Sequence, residues 1–284
     1  MALLKLLSRK KDGEKSEMSF IDHLEALRWH IVRSLIAVMI GAVVIFVYQD
    51  WVFDNVILGP IQADFVSYMA LCDFSHWIGA GDALCMPAPN ISMLATQYTT
   101  LFMSSISIAF VGGFIFAFPY IFWEFWRFVR PALSSKESKK TKGVIFWVSL
   151  LFFTGVAFGY FILTPFMVNF YFNYKLSPQI QIMPTFSDYL ENLIYTTVGI
   201  GVLFQMPLLV MVLAKVGFIT ARFLRKYRRH AFIIILLAAA IITPSTDPFS
   251  LAIVTIPLYL LFEASIIIAS RINKRQAKEE KEWS

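Results

Sequence analysis

Charge is scarce in this chain: Asp, Glu, Lys and Arg supply 15% of its 284 residues, while apolar types supply 58% and mean hydropathy is +0.65. A soluble domain is about a quarter charged and about half apolar, so the balance points to a membrane protein. Histidine is scarce too. His23, His30 and His230 fall on one side of the apolar runs and His76 on the other. His23 and His30, two helical turns apart, read as interfacial histidines rather than a metal pair. Nothing matches HExxH, GxSxG or a Gly-rich phosphate loop. No catalytic residue, metal or cofactor is therefore expected, and the chain reads as a non-enzyme.

Lys and Arg are absent altogether from Gln49 to Gln97, where Asp50, Asp54, Asp64, Asp73 and Asp82 stand instead. The chain has two cysteines, Cys72 and Cys85, both in that stretch with 12 residues between them. In an oxidising compartment such a pair bridges and restricts the loop; two free thiols are the alternative. A cleavable leader is not legible, because Lys5, Arg9, Lys10 and Lys11 interrupt the first apolar groups. The first span is expected to insert uncleaved.

What the chain has is apolar length. A helix needs about 20 apolar residues to cross a bilayer, and runs 29–48, 98–118, 143–163 and 193–213 reach that length. Two more, 231–243 and 249–270, are flanked by basic loops and separated by "TPSTDP". The first is short, and Pro257 and Glu263 interrupt the second. Six spans are expected, the last two short for the membrane, leaving the bilayer locally thinned where partner helices gather. With six spans, 23 of the 25 Lys and Arg residues fall on one side, Lys175 and Lys215 excepted. The positive-inside rule then makes both termini cytoplasmic. The net charge of +6 is thus a topology signal with some attraction to anionic lipid, and nucleic acid is not expected as a partner. One membrane domain, 1–284, is expected, with a flexible N-terminus (1–17), a long outer loop (49–97) and a charged tail (271–284).

Between Phe116 and Lys140 the sequence reads "FAFPYIFWEFWRFVRPALSSKESKK", with Pro119 and Pro131 bracketing aromatics among Glu124, Arg127 and Arg130. The bland reading is an interfacial aromatic belt; the sharper one is a groove for a peptide. Few polar groups lie inside the runs: Gln205, Glu263, and Asn169 near the end of the third. They leave open a proton-coupled transporter of a small solute, although the two halves show no likeness.

Several blocks in order carry a resemblance: "HLEALR", "FPYIFWEFWRFVRPAL" with Glu137, "FGYFILTPF", "LFQMPLLVMVLAKVGF" and "TPSTDPFSLAIVTIPLYLLFEASI". From about Met18 to Ala269 the chain resembles the TatC family of the Sec-independent, twin-arginine protein translocase. The resemblance implies an all-α membrane protein of six helices in a concave, glove-like bundle with both termini inside. It implies a receptor in the cell inner membrane that binds twin-arginine signal peptides of folded cargo, assembles with TatA and TatB type single-span proteins and further copies of itself, and uses the proton motive force.

Matched residue by residue, it places signal-peptide binding on Glu137, with Phe128, Pro131 and Leu133 positioning it, and on Leu24, Glu25 and Arg28. The family reads His-Leu-X-Glu-Leu-Arg, whereas here Glu25 stands one position early and Ala26 takes the glutamate's place. That turns the carboxylate about 100° around the helix, and Glu25 has the local alternative of pairing with Arg28. Gln205 matches a polar position that meets partner helices. Pro60, Pro119, Asp247 and Glu263 match positions with structural roles, Pro60 and Asp247 as turn or capping residues.

Overall fold

A computed structural model of the chain describes residues 20–62, 64–79, 81–85, 93–129, 141–173, 177, 184–243 and 248–283. Apart from one isolated bridge between Leu94 and Thr185, the described residues are helices, turns and loops. The reason is physical: in hydrocarbon every backbone N–H and C=O must be satisfied, and a helix does this within one segment.

Helix α1 runs Phe20–Val47 and continues through the turns of residues 49–61 to α2, Val66–Trp77. Helix α3 is Thr100–Val129. Helix α4, Thr141–Phe158, passes through a wider π-type turn at Gly159–Leu163 into α5, Thr164–Asn173. Helices α6, Phe186–Leu203, and α7, Met206–Val216, share one apolar stretch. Between them the chain breaks at Phe204 and Gln205, because Pro207 has no N–H for the carbonyl four residues back and its ring crowds that oxygen. Gly217, at φ +86°, caps α7 in the left-handed region that glycine enters without cost. Then come α8, Ala221–Lys226, α9, Arg228–Ile242, and α10, Pro248–Trp283.

Among the described residues five stretches are long and apolar enough to cross a membrane: 24–47, 100–129, 143–172, 186–216 and 251–277. They extend past the apolar runs, since polar residues at a span's end keep their helical hydrogen bonds. Helix α9 has 15 residues, about 22 Å at 1.5 Å each, and is not among them. The expected short final span is corrected. Helix α10 has 36 residues and passes through Pro257 and Glu263 without a break, as membrane helices do where neighbours re-satisfy the freed carbonyl. Pro119 likewise sits within an unbroken α3.

Helix α1 packs along α3 with backbones in contact. A Cβ on Gly113 would lie 2.5 Å from Ala42 N and 2.7 Å from Val38 O. Among the described residues of α1 only Ala42 and Ile45 are buried, so most of this helix faces outward. The main core lies between α6, α7 and α10, around Ile200, Phe204, Val254, Leu258 and Phe262. A second core joins α1, α3 and α6, and a third, Phe122, Trp126 and Val148, sits where α3 ends.

The irregular chain after α1 is held by tyrosines. Tyr160, Tyr189 and Tyr68 donate to the carbonyls of Val56, Ile57 and Pro60, each at 2.6 Å. Three carbonyls outside any helix ladder are thereby satisfied, and burial pushes the Tyr68 hydroxyl up to about 12. Pro60 is fully buried in a short 3-10 turn. Cys72 and Cys85 are joined as a disulfide, tying α2 to the turn at Gly81–Leu84.

Candidate functional site

The start of α1 and the end of α3 meet at one end of the bundle, and a buried carboxylate joins them. Glu124 is 1% exposed although it stands among aromatics on α3. Its Oε2 pairs with His30 Nδ1 of α1, and its Oε1 accepts from the Tyr120 hydroxyl at 3.1 Å. The His30 ring meets Phe128 edge-on at 6.0 Å. Isolated in an apolar interior, a carboxylate is costly; with both oxygens occupied it becomes a specific tie between two spans.

Other elements close the same end. Lys215, in the last turn of α7, lies 5.7 Å from the Trp126 ring of α3. Gln276 of α10 donates to the Lys215 carbonyl at 3.1 Å, and the Ala221 N–H of α8 donates to Asn273 Oδ1 at 2.9 Å. Arg228, opening α9, pairs with Glu263 of α10 at 2.6 Å, and Tyr259 donates to the other Glu263 oxygen at 3.3 Å. The start of the first helix and the distal part of the last thus share one end of the bundle, where described Lys and Arg residues concentrate.

Leu24, Glu25 and Arg28 lie exposed on the first turns of α1. No ion pair joins Glu25 to Arg28 among the described residues, so the Glu25 carboxylate faces solvent. Phe128 is half-buried in the last turn of α3, beside His30. Pro131, Leu133, Glu137 and Asp247 lie outside the described residues, as does the rest of the "TPSTDP" turn between Thr243 and Pro248. Gln205 Nε2 is 3.4 Å from the Val148 carbonyl of α4, while its Oε1 is buried with no partner among the described residues.

The aromatic segment is neither purely belt nor purely groove: Phe122, Glu124 and Trp126 point into the protein, Trp123 and Phe125 outward. Arg127 lies 5.8 Å from the outward Trp123 ring. Sequence reasoning gave Glu124 and His30 no joint role. The one signal for it was a carboxylate at i+4 from Tyr120 and i−4 from Phe128, on a helix face otherwise aromatic. On the side of the bundle away from this end, α1, α3, α4 and α6 line an apolar cavity of about 650 Å³, with Trp51, Tyr160 and Thr197 on its walls.

What these residues build is a membrane scaffold: helices long enough to span, and at one end charged groups held in fixed relation to one another rather than around a reacting centre. The chain belongs to the TatC family. The family described as Sec-independent protein translocase protein (TatC) matches residues 22–257. The Sec-independent protein translocase protein TatC of Blattabacterium sp. subsp. Periplaneta americana is 36% identical over 93% of this chain and 99% of its own. That of Desulforapulum autotrophicum is 31% identical over 95% and 90%. A crystal structure of a twin arginine translocase receptor TatC superposes with a TM-score of 0.66, at 29% identity over 88% of this chain and 99% of that one. The chain is the TatC receptor component of the twin-arginine translocase, a transport protein and not an enzyme. The small-solute transporter reading falls with that membership.

Proposed function

We propose that the basic end of the bundle is its cytoplasmic face and binds the twin-arginine signal peptide of a folded cargo protein. The observation that carries this reading is the Glu124–His30 tie with Phe128 against it. It sets Leu24, Glu25 and Arg28 beside the end of α3, from which Pro131, Leu133 and Glu137 follow directly in the chain. A carboxylate at a partly desolvated interface suits a guanidinium, whose planar fork bonds both oxygens. Glu137 supplies the principal carboxylate and Glu25 a second one from α1.

The rest of the reading follows from that orientation. Residues 1–284 form one membrane unit with six crossings, α9 the short one, in a concave, glove-like bundle with both termini cytoplasmic. Single-span TatA and TatB type proteins and further copies of this chain meet it within the bilayer, and the proton motive force drives passage of the cargo. The open Gln205 Oε1 is suited to a hydrogen-bond donor from a partner helix.

Charge reversal at Glu137 tests the surface. Photo-crosslinking of a twin-arginine peptide to Glu137→Lys is expected to fall at least tenfold relative to wild type, and a twin-lysine peptide is expected to label wild type poorly. Undiminished labelling of Glu137→Lys would remove Glu137 from the site.

A further inference from the structure

Where α8 meets the distal part of α10 there is a second polar site, apart from the recognition surface. It is a cavity of about 430 Å³ whose walls include Thr220, Arg222, Ser270, Asn273 and Lys274. Its chemistry is one-sided. Asn273 Oδ1 is taken by the Ala221 N–H and Thr220 Oγ1 by the Phe223 N–H, which leaves the Asn273 amide hydrogens and the Thr220 hydroxyl proton to donate. Among the described residues neither Arg222 nor Lys274 has an ion-pair partner, and none of those that line the cavity is a carboxylate. Two cations and several neutral donors facing a space without an acid make an anion site.

The surroundings say which anion. Leu260, Ile267 and Lys274 are seven residues apart and so share one stripe of α10. Leu260 and Ile267 are more than half exposed. An outward apolar stripe therefore runs up to the cationic cavity, matching a molecule with a hydrocarbon chain below and a phosphate above. We propose that this cavity binds the phosphate of an anionic phospholipid headgroup, with an acyl chain along Leu260 and Ile267. Basic pockets between membrane helices hold anionic headgroups by this arrangement. The assignment needs only that this end of the bundle lies at a membrane surface, whichever side that is.

Native mass spectrometry of the full chain released from phosphatidylglycerol nanodiscs tests it. Wild type is expected to retain one phosphatidylglycerol in preference to phosphatidylcholine. Arg222→Gln/Lys274→Gln is expected to hold it roughly 30-fold more weakly, about fivefold for each cation at a headgroup. Arg225→Gln/Arg275→Gln removes the same net charge outside the cavity and is expected to change affinity by less than about twofold. Equal losses in the two double variants would reduce the site to a diffuse basic surface. Occupancy by inorganic phosphate at the lipid's affinity would overturn the phospholipid assignment. Melting midpoints of both variants, and peptide crosslinking measured separately, keep misfolding and failure of the recognition surface distinct from failure of this site.

Discussion

At the scale of single residues, Glu124 shows how a membrane helix carries a carboxylate inward. Both oxygens are engaged, one by His30 and one by Tyr120, and the pair is all but sealed, His30 at 15% and Glu124 at 1% side-chain exposure. Removing one partner of a buried pair leaves an uncompensated charge and costs about 3–5 kcal/mol, whereas replacing both by apolar groups is often neutral. His30→Leu alone is thus expected to lower stability by about that amount, and His30→Leu/Glu124→Leu to recover most of it. A double-mutant cycle from unfolding in detergent is the check; simple additivity of the two losses would show that the contact carries no coupling. Little of this was legible in the sequence. Histidine and glutamate stand 94 positions apart, and only the pairing of α1 with α3 brings them together. Glu263 was easier to anticipate as a hydrogen-bonded structural group, because basic residues flank the run in which it sits, although its mate Arg228 was not named.

At the scale of elements, apolar length made the four ordinary spans visible, and hydrophobic run length fails just where the helices differ from a plain greasy rod. It could not foresee that α10 continues through Pro257, because what decides that is the packing of α9 and α7 on its flanks, not local propensity. Nor could it show how closely α1 and α3 approach. Lipid gives two helices little hydrophobic reason to associate, so small residues that admit backbone contact do the joining. At Gly113 any Cβ would be forced against Ala42 N and Val38 O; at Gly143 a Cβ meets nothing within 4 Å. Gly113→Ala is expected to cost about 1–3 kcal/mol through overpacking and to lower the melting midpoint, with Gly143→Ala close to wild type. Equal midpoints for the two variants would mean that α1 and α3 are not tightly joined there.

At the scale of the whole molecule, the α9–α10 hairpin is displaced along the bundle rather than merely short. Successive contacts, Arg228 with Glu263 and Phe232 with Tyr259, run the two helices antiparallel from the basic end. At the other end Ile242 Cδ1 lies 3.5 Å from where a Cβ on Gly199 would sit. Gly199 is six residues into the apolar run that begins at Leu193, about 9 Å at 1.5 Å per residue. Helix α9 therefore ends about 9 Å inside the start of that apolar run of α6, and the surplus length of α10 projects past the basic end. Where a bilayer accommodates such a step by thinning, at a cost of fractions of a kcal/mol per Å, the thinned patch would be where a folded cargo has least hydrocarbon to pass. Adding four apolar residues after Ile241 and four before Leu251 would lift the hairpin by about 6 Å and remove most of the step. Export of a folded twin-arginine reporter is expected to fall severalfold, while membrane accumulation and peptide crosslinking at the basic end stay near wild type. Full export by the lengthened chain would show that passage does not depend on the short side of the bundle.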